Sequence, residues 1–319
     1  MGIRNLKCYL CKGENINIIR KRLRYDVKRN VIKCEDCGIV YLEKKDVSLD
    51  EYYKDDYRNI YSPNLGQKLT SQEIFDACLP FQSYRQERIN KLVSKHSIIL
   101  DIGCSAGHFL YSMKDKVKTG IGIEFNRSDS EFVQDKLGIK VYSVPIEESD
   151  LPKKYFDVIT LFHVLEHINN PIIFLNNIKK YLKDTGYICI EVPNINDALL
   201  SVYNIEKYAD FWYREPHVFN FSIDSLKKLL DIVGIKGEFK TIQRYSIFNH
   251  MNWIASGAPQ SVMAEGMSDY SIENSNQIDE IILSEFNLFF NKINSNYKDL
   301  LNKYNLGDSI FFIGQKDNN

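Results

Sequence analysis

An apolar run that ends in an acidic residue and enters a glycine-bracketed turn constrains this chain more than any other stretch. Residues 97–102 predict a buried strand, Asp101 lies near its carboxyl end, and Gly103 and Gly107 bracket the turn that follows. The residues after the turn have helical spacing. In open α/β sheets, ligands bind at the carboxyl ends of strands, and glycine lets the backbone approach them closely. The sequence therefore predicts a ligand site at this strand–turn–helix junction.

A second acidic residue follows 23 positions later in the chain. Residues 120–124 predict a short strand that ends at Glu124, where a carboxylate is well placed to accept hydrogen bonds from two ribose hydroxyls. The first turn has the spacing G-x-x-x-G and not G-x-G-x-x-G, which argues against a site for a dinucleotide. Together the two acids indicate a ligand that carries a ribose.

The pattern Asp101-x-Gly103-x-x-x-Gly107 with Glu124 resembles motif I and the acidic residue of motif II in class I S-adenosylmethionine (SAM) methyltransferases. Ser105 stands where that family usually has its middle glycine. The resemblance implies that SAM is the cofactor. The residues expected to contact SAM are Asp101, Gly103, Ser105, Gly107, Glu124, Phe125, Phe162 and His163.

The same turn also allows a different hypothesis. Residues 103–107 match the G-x-S-x-G nucleophile elbow of serine hydrolases, with Ser105 as the nucleophile. That hypothesis gives no role to Asp101 or Glu124, whereas the methyltransferase hypothesis uses both. A plain turn without a ligand is the third alternative.

Strands that alternate with helices along the rest of the chain predict the fold class. Strand patterns occur at residues 140–144, 156–162 and 187–194, and a last one occurs at 309–315. Such alternation is typical of a doubly wound sheet. We therefore expect an α/β fold with a Rossmann-like, seven-stranded, mostly parallel sheet, and the resemblance implies that its final strand inserts antiparallel.

Helical spacing is predicted in two further places. One helix begins near residue 71, breaks near Pro80 and resumes to about residue 95. Another is predicted over residues 174–182, and Gly186 is interpreted as its glycine stop.

Two histidines follow the fourth predicted strand. The segment from His163 to Pro171 resembles the "VLEH…P" segment of the methyltransferase family, which implies that Phe162 and His163 touch the cofactor. His163 and His167 are four residues apart and would share one face of a helix. They are candidates for a metal pair, and a local capping role for His167 is the alternative.

Four cysteines near the start of the chain form two C-x2-C pairs. Cys8, Cys11, Cys34 and Cys37 can supply four thiolates to one tetrahedral zinc ion, and such a closed site is structural. Two disulfides or a redox dithiol are the alternatives. The segment between the pairs is basic, which indicates either a solvated surface or a wall near an anionic sugar nucleotide or RNA.

The two cysteine pairs run into a tyrosine-rich segment ahead of motif I. This arrangement resembles a subgroup of SAM methyltransferases that is typical of bacterial sugar and surface-polysaccharide modification and includes deoxysugar C-methyltransferases. The resemblance covers roughly residues 8–245. It implies a sugar or nucleotide sugar as the acceptor, and it implies that a tyrosine among Tyr52, Tyr53, Tyr57 and Tyr61 reaches the substrate. Packing of these rings against the core is the alternative.

A later aromatic segment carries a carboxylate and an imidazole. The subgroup has a Tyr-x-Glu-His pattern here, which implies that Tyr213, Glu215 and His217 serve as base and substrate ligands. In this sequence Pro216 separates the acid from the histidine, which is a departure from the pattern. His217 or His167 is the expected general base, and Glu215 is expected to orient it or to share the proton.

The motifs divide the chain into regions. We expect a zinc-binding module over 1–48, a linker and helix over 49–97, and the methyltransferase domain over 98–319. A helical insertion is expected at about 247–306 and would either cap the substrate site or mediate dimerisation.

Composition limits the function further. The formal net charge is −1, so no global field attracts nucleic acid, and no apolar run approaches the length of a membrane span. We expect a cytoplasmic protein with a small-molecule substrate, no membrane partner and no nucleic-acid partner. Two other functions stay open, an RNA methyltransferase with a zinc module and a non-enzymatic zinc-bearing binding protein.

Overall fold

The computed structural model describes residues 7–44, 67–269, 271–272 and 279–317. The strands are β1 (Ile16–Arg22), β2 (Lys28–Cys34), β3 (Val40–Leu42), β4 (Ile98–Ile102), β5 (Thr119–Ile123), β6 (Lys140–Tyr142), β7 (Phe156–Phe162), β8 (Leu182–Pro193), β9 (Phe219–Asn220), β10 (Ile235–Ile242) and β11 (Ser309–Lys316). The helices are α1 (Ser71–Cys78), α2 (Ser83–Ile89), α3 (His108–Met113), α4 (Arg127–Asp135), α5 (Pro171–Ile178), α6 (Ala198–Ser201), α7 (Glu206–Trp212), α8 (Ile223–Ile232), α9 (Ile247–Ser256), α10 (Met263–Met267) and α11 (Glu280–Lys303).

Seven strands form the main sheet in the order β10-β11-β8-β7-β4-β5-β6. The five strands from β6 to β8 in this order pair parallel, and β11 pairs antiparallel with both of its neighbours. Every residue of β4 is buried, as expected of a strand covered on both faces by helices. The structure thus confirms the predicted Rossmann-like, mostly parallel, seven-stranded fold with an antiparallel last strand.

One predicted helix end is wrong. Helix α5 ends at Ile178, and β8 begins already at Leu182, so Gly186 lies inside a strand and does not stop a helix. A Cβ atom on Gly186 would come within 2.7 Å of the Leu182 side chain and 3.0 Å of the Asp157 carbonyl oxygen. The glycine is therefore required by close packing in the sheet.

The two helices before β4 follow the predicted break. Thr70 and Glu73 form a reciprocal capping box at the start of α1, and Pro80 lies in a single 3-10 turn between α1 and α2. The second helix ends at Ile89, earlier than the predicted residue 95. Arg85 of this helix has a buried side chain, which forms an ion pair with Glu191 of β8 in the main sheet.

A second sheet has the order β1-β2-β3-β9. Its first three strands come from the cysteine-rich region, and its fourth comes from the segment that precedes α8. The Tyr9 ring packs at 5.1 Å from the Phe219 ring, and the backbone N–H of Leu42 donates to the carbonyl of Val218. The cysteine-rich region and the main domain therefore share one packed core across the predicted boundary at residue 48.

Helices α9, α10 and α11 occupy the predicted insertion between β10 and β11. Asn294 fastens α11 to the rest, since its side chain accepts a hydrogen bond from the backbone N–H of Ile247. The amino-terminal half of α11 exposes several large apolar side chains, namely Ile281, Ile282, Phe286, Leu288 and Phe289. Dimerisation through this region stays a prediction. Within the residues that the structure covers, every helix is too short or too polar to cross a bilayer.

Candidate functional site

Two groups of residues lie at the carboxyl edge of the main sheet. We call the first the loop edge; it consists of Asp101, the turn 103–107, Glu124 and Phe125. The second, the histidine edge, consists of His163, Glu166, His167 and His217.

Asp101 anchors the loop edge from inside. It is the fourth residue of β4, its side chain is 3% exposed, and it accepts a hydrogen bond of 2.6 Å from the Thr160 hydroxyl on β7. Burial raises the pKa of Asp101 to about 7, although the bond from Thr160 opposes that shift. The fold thus favours the protonated form of this carboxyl group more than water does.

Glu124 fixes the shape of the turn. One carboxylate oxygen accepts the backbone N–H of Ser105 at 2.8 Å, and the other accepts the backbone N–H of Asn126 at 2.8 Å. Ser105 has φ +49°, and Gly103 and Gly107 have φ +72° and +75°, so three residues of the turn are left-handed. A Cβ atom on Gly103 would also meet Val164 at 2.6 Å, which is why this position requires glycine.

The residues of the loop edge suit an adenosyl donor. Carboxylate oxygens of Glu124 lie beside an exposed glycine backbone, and the adjacent Phe125 ring is 43% exposed and offers a stacking surface. Phe162 lies deeper than predicted, with its ring 4.9 Å from Phe109 and the Arg85 guanidinium 4.4 Å above it. No histidine is hydrogen-bonded to Ser105 in the described ranges, so the structure gives a serine nucleophile no base.

His163 is held in a strained conformation directly after β7. Its φ is +58°, a region that costs a non-glycine residue roughly 1–3 kcal/mol and that clusters at functional sites. Nε2 lies 2.8 Å from the Arg244 guanidinium, and Nδ1 lies 3.4 Å from Glu166. The same Nε2 also lies 3.2 Å from Glu191 Oε1, so it faces both a donor and an acceptor.

A shared face for His163 and His167 requires a helical segment, and the chain here does not form an α-helix. Between them the chain makes only one 3-10 turn over Leu165–His167, and the strained backbone at His163 prevents a longer helix. The Nδ1 atom of His163 and the Nε2 atom of His167 nevertheless both face the Glu166 carboxylate, at 3.4 and 3.8 Å.

His217 completes the histidine edge. Its ring stacks edge-on against that of His167 with centroids 4.9 Å apart, and its Nε2 lies 4.0 Å from Glu166. The same Nε2 accepts a hydrogen bond of 2.8 Å from Arg214 Nε. Burial lowers the pKa of His217 well below its ordinary value, and the Arg214 charge adds to the effect, so His217 is neutral at neutral pH.

The role of Pro216 becomes clear in the structure. Its carbonyl oxygen lies 2.9 Å from Nδ1 of His167, and His167 therefore carries its hydrogen on Nδ1. The proline that departs from the expected pattern thus contributes the acceptor that orients the second histidine.

Glu215 and Tyr213 contact the cysteine-rich region. The Glu215 carboxylate lies 3.9 Å from Arg29 of β2, whereas Glu166 is the acid beside His217. Tyr213 packs in an apolar cluster with Val31 and Leu42, and burial raises the pKa of its hydroxyl to about 12. Their predicted catalytic roles stay predictions.

Sequence reasoning missed a buried ion network under the histidine edge. Glu191 of β8 is fully buried; it accepts from Arg85 at 2.7 Å and from the Tyr84 hydroxyl at 2.8 Å. Arg244 lies 3.6 Å from Glu191 and pairs with Asp308 at 2.6 Å. Burial alone would raise the pKa of Glu191, but Arg85 and the other cations hold it well below its usual range. The available signal was a glutamate inside the apolar run of β8.

One family model matches the part of the chain that carries both edges of the site. Residues 81–237, just under half of the chain, match the family model of a methyltransferase domain. This part of the chain is therefore similar to a methyltransferase domain. The match begins in the turn before α2 and ends in β10, so it includes both edges of the site.

The curated relatives that match this region are named as methyltransferases or carboxymethyltransferases, and their names indicate different substrates. The methyltransferase domain is similar to a tRNA U34 carboxymethyltransferase of Hydrogenovibrio crunogenus, with 31% identity over 113 residues, which is 31% of this chain and 33% of that protein. It is also similar to a ubiquinone biosynthesis O-methyltransferase of Pelagibacter ubique, with 32% identity over 104 residues, which is 31% of this chain and 43% of that protein. The chain spans between 33% and 43% of the length of the curated relatives it matches.

A solved structure extends the likeness in fold. Phosphoethanolamine N-methyltransferase 2 of Haemonchus contortus superposes with a TM-score of 0.51 and 14% identity, and the match covers 87% of this chain and 62% of that one. The likeness covers more of the chain than the methyltransferase domain alone.

The four cysteines outside the methyltransferase domain converge on one point. The Sγ atoms of Cys8 and Cys37 are 3.5 Å apart, those of Cys11 and Cys34 are 3.6 Å apart, and all four lie within 4.8 Å of one another. A tetrahedral zinc ion with Zn–S bonds of about 2.3 Å separates its sulfurs by about 3.8 Å. The cluster thus fits zinc, and zinc itself stays a prediction. None of the seven cysteines forms a disulfide.

About half of the basic side chains between the cysteine pairs are ion-paired, namely Arg20, Arg22, Arg29 and Lys33. Arg20 pairs with Glu206 and Asp210 of α7, and Lys33 pairs with Glu35. These pairs favour the interpretation as a solvated, neutralised surface. The predicted substrate contacts of Tyr52, Tyr53, Tyr57 and Tyr61 lie outside the described residues.

Proposed function

We propose that this protein transfers a methyl group from SAM to a small-molecule acceptor, a sugar or nucleotide sugar. The observation that carries the proposal is the loop edge, where Glu124 ties down a left-handed glycine turn beside the buried Asp101. When bound, SAM supplies an electrophilic methyl group on its sulfonium. Asp101, Gly103, Glu124 and Phe125 would hold it, and His163 would border it at the end of β7.

The chain's own residues have two further tasks, which are to align the acceptor and to remove its proton. We assign the second task to the histidine edge. There His167 is held in one tautomer by the Pro216 carbonyl, and its Nε2 faces Glu166, whose charge would stabilise the imidazolium that forms. His217 lies against His167 and is the second candidate base.

The sugar acceptor is supported by the sequence resemblance and by the way the cysteine-rich region is built into the site. Strand β9, which continues directly from His217, pairs with β3 of that region. The cysteine-rich region, whose sequence resembles that of a sugar-modifying subgroup, therefore borders the histidine edge and would form one wall of an acceptor pocket.

Modification of RNA is the second candidate function. Three relatives named as tRNA U34 carboxymethyltransferases favour it. The net charge of the chain predicts no nucleic-acid partner, and these relatives argue against that prediction. The ion pairs of Arg20 and Lys33 oppose it, because paired cations contribute less to phosphate binding.

Product analysis separates the two acceptors. The protein is incubated with methyl-labelled SAM and either a panel of nucleotide sugars or bulk tRNA, and the products are read by mass spectrometry. The proposal expects a mass gain of one methyl group on a nucleotide sugar and none on tRNA. Labelled tRNA with unlabelled sugars would replace the first function by the second.

A further inference from the structure

The Glu166 carboxylate is buried among three imidazoles, of which His163 is the nearest, with Nδ1 3.4 Å from Oε1. The residue is 1% exposed, and neither carboxylate oxygen accepts a hydrogen bond from the described part of the chain. Removing a carboxylate from water without donors or a counter-cation is strongly unfavourable. A protonated neighbouring imidazole or a bound cation can balance this charge.

Imidazole nitrogens surround the same carboxylate. His167 Nε2 lies 3.8 Å and His217 Nε2 4.0 Å from Glu166 Oε1, and these three atoms lie within 4.8 Å of one another. His167 Nδ1 donates to the Pro216 carbonyl, which is the backbone contact that fixes the orientation of many metal-binding histidines. The buried Nδ1 of His217 has no partner in the described chain.

We propose that Glu166, His167 and His217 bind a divalent first-row transition cation. Two imidazoles and one carboxylate are a ligand set suited to such ions, and three protein ligands leave positions open. Bonds of about 2.1 Å bring ligand atoms to roughly 3.0–3.5 Å from one another, so atoms that now lie within 4.8 Å would move closer by up to roughly 1–2 Å. Glu166 and His167 lie in the 3-10 turn after β7, and His217 lies two residues before the start of β9.

Arg214 competes with the cation. Its Nε donates to His217 Nε2 at 2.8 Å, so the guanidinium and the metal would use the same lone pair. Arg214 is only half-buried, and we expect its side chain to turn away from His217 when a metal binds. We therefore infer that Arg214 sets the affinity of the site, and that its removal strengthens metal binding.

The use of the cation rests on the proposed function. An open coordination position beside the methyl donor would hold the acceptor's hydroxyl and lower its pKa, so that the hydroxyl loses its proton to solvent. In that state His167 and His217 act as metal ligands and do not take the proton themselves. Binding of the metal can be tested without any substrate.

Manganese is the probe, because Mn²⁺ prefers nitrogen and oxygen ligands and competes poorly for thiolates. The full chain is first saturated with zinc, then titrated with Mn²⁺ while the free ion is followed by electron paramagnetic resonance. We expect one Mn²⁺ per chain, at least tenfold weaker binding by Glu166→Gln, and unchanged binding by the exposed control His96→Gln.

A second variant keeps the test decisive. Arg214→Gln should bind Mn²⁺ about tenfold more tightly, and this gain does not depend on the folding of Glu166→Gln. Absence of stoichiometric binding, or equal affinities for wild type, Glu166→Gln and Arg214→Gln, would overturn the inference. Calorimetry with SAM on the same samples separates the metal-site inference from the proposed methyl transfer. Binding of Mn²⁺ without binding of SAM would contradict only the proposed function.

Discussion

The loop edge and the histidine edge lie on the same side of one sheet but are built in different ways. The loop edge lies within 25 consecutive residues, from Asp101 to Phe125, and its contacts are short hydrogen bonds between a carboxylate and nearby backbone. The histidine edge joins the turn after β7 to the segment before β9, about 50 residues later. Local construction makes the first readable from sequence, whereas the second depends on how distant segments pack.

The largest expected effect separates the two edges kinetically. His217→Ala removes an imidazole that we propose takes part in removing the acceptor's proton, as base or as metal ligand. Since such catalysis contributes about 10²- to 10⁴-fold, turnover should fall by that factor while SAM affinity is retained. Steady-state rates and SAM calorimetry on one preparation measure both.

Glu215→Gln is the matched control for this prediction. Because Glu215 lies against Arg29 and Glu166 is the acid next to His217, the Glu215 variant should lose less turnover than Glu166→Gln. A His217→Ala enzyme with wild-type turnover would remove the histidine edge from the mechanism.

A stability measurement probes the loop edge. Asp101 has its pKa raised to about 7 in the fold, against about 3.9 when unfolded, so the fold binds more protons between pH 4 and 7. Stability should therefore fall as pH rises through that window, by up to about 4 kcal/mol. Asp101→Asn should remove this loss, and its advantage over wild type should grow from pH 4 to pH 7.

Urea unfolding at pH 5 and pH 8 measures the difference. The exposed Asp115→Asn is the control and should follow wild type at both pH values. Parallel behaviour of Asp101→Asn and wild type would show that the buried carboxyl is not the origin of the pH dependence.

The smallest expected effect tests how the cysteine cluster connects to the two edges. Strand β3 begins three residues after Cys37 and pairs with β9, which follows His217. Cys34→Ser should therefore lower zinc content and reduce turnover by about tenfold, roughly 1.4 kcal/mol in the barrier. SAM affinity should stay unchanged, because β3 pairs with β2 and β9, whereas the turn of the loop edge is held by Glu124.

Cys78→Ser, outside the cluster, serves as the control and should retain zinc and turnover. Equal losses of SAM binding and turnover in Cys34→Ser would mean that the two edges are not separable.

The loop edge and the histidine edge also differ in how much of each could be predicted from the sequence. Strand β7, the antiparallel β11 and the turn around Gly103 were predictable because periodicity and glycine spacing are local signals. Glu166 was overlooked in favour of Glu215, although both are acids near a histidine in the chain. Only tertiary packing shows that one faces His217 and the other faces Arg29.

Gly186 teaches the same lesson at the level of secondary structure. A glycine after an apolar helical pattern resembles a helix stop, but here it serves the close approach of Leu182 and the Asp157 carbonyl. Arg85, Glu191 and Arg244 were not predicted either, since their pairing joins α2, β8 and the end of β10.

Isothermal titration of the protein with SAM tests the central claim most directly. The account predicts saturable one-to-one binding by wild type and at least about 100-fold weaker binding by Glu124→Ala, since a charged hydrogen-bonding partner contributes roughly 1.5–3 kcal/mol and the turn also loses its anchor. Glu131→Gln, an exposed acid on α4, should bind like wild type. Absence of binding heat in wild type, or equal affinity in Glu124→Ala, would contradict the account.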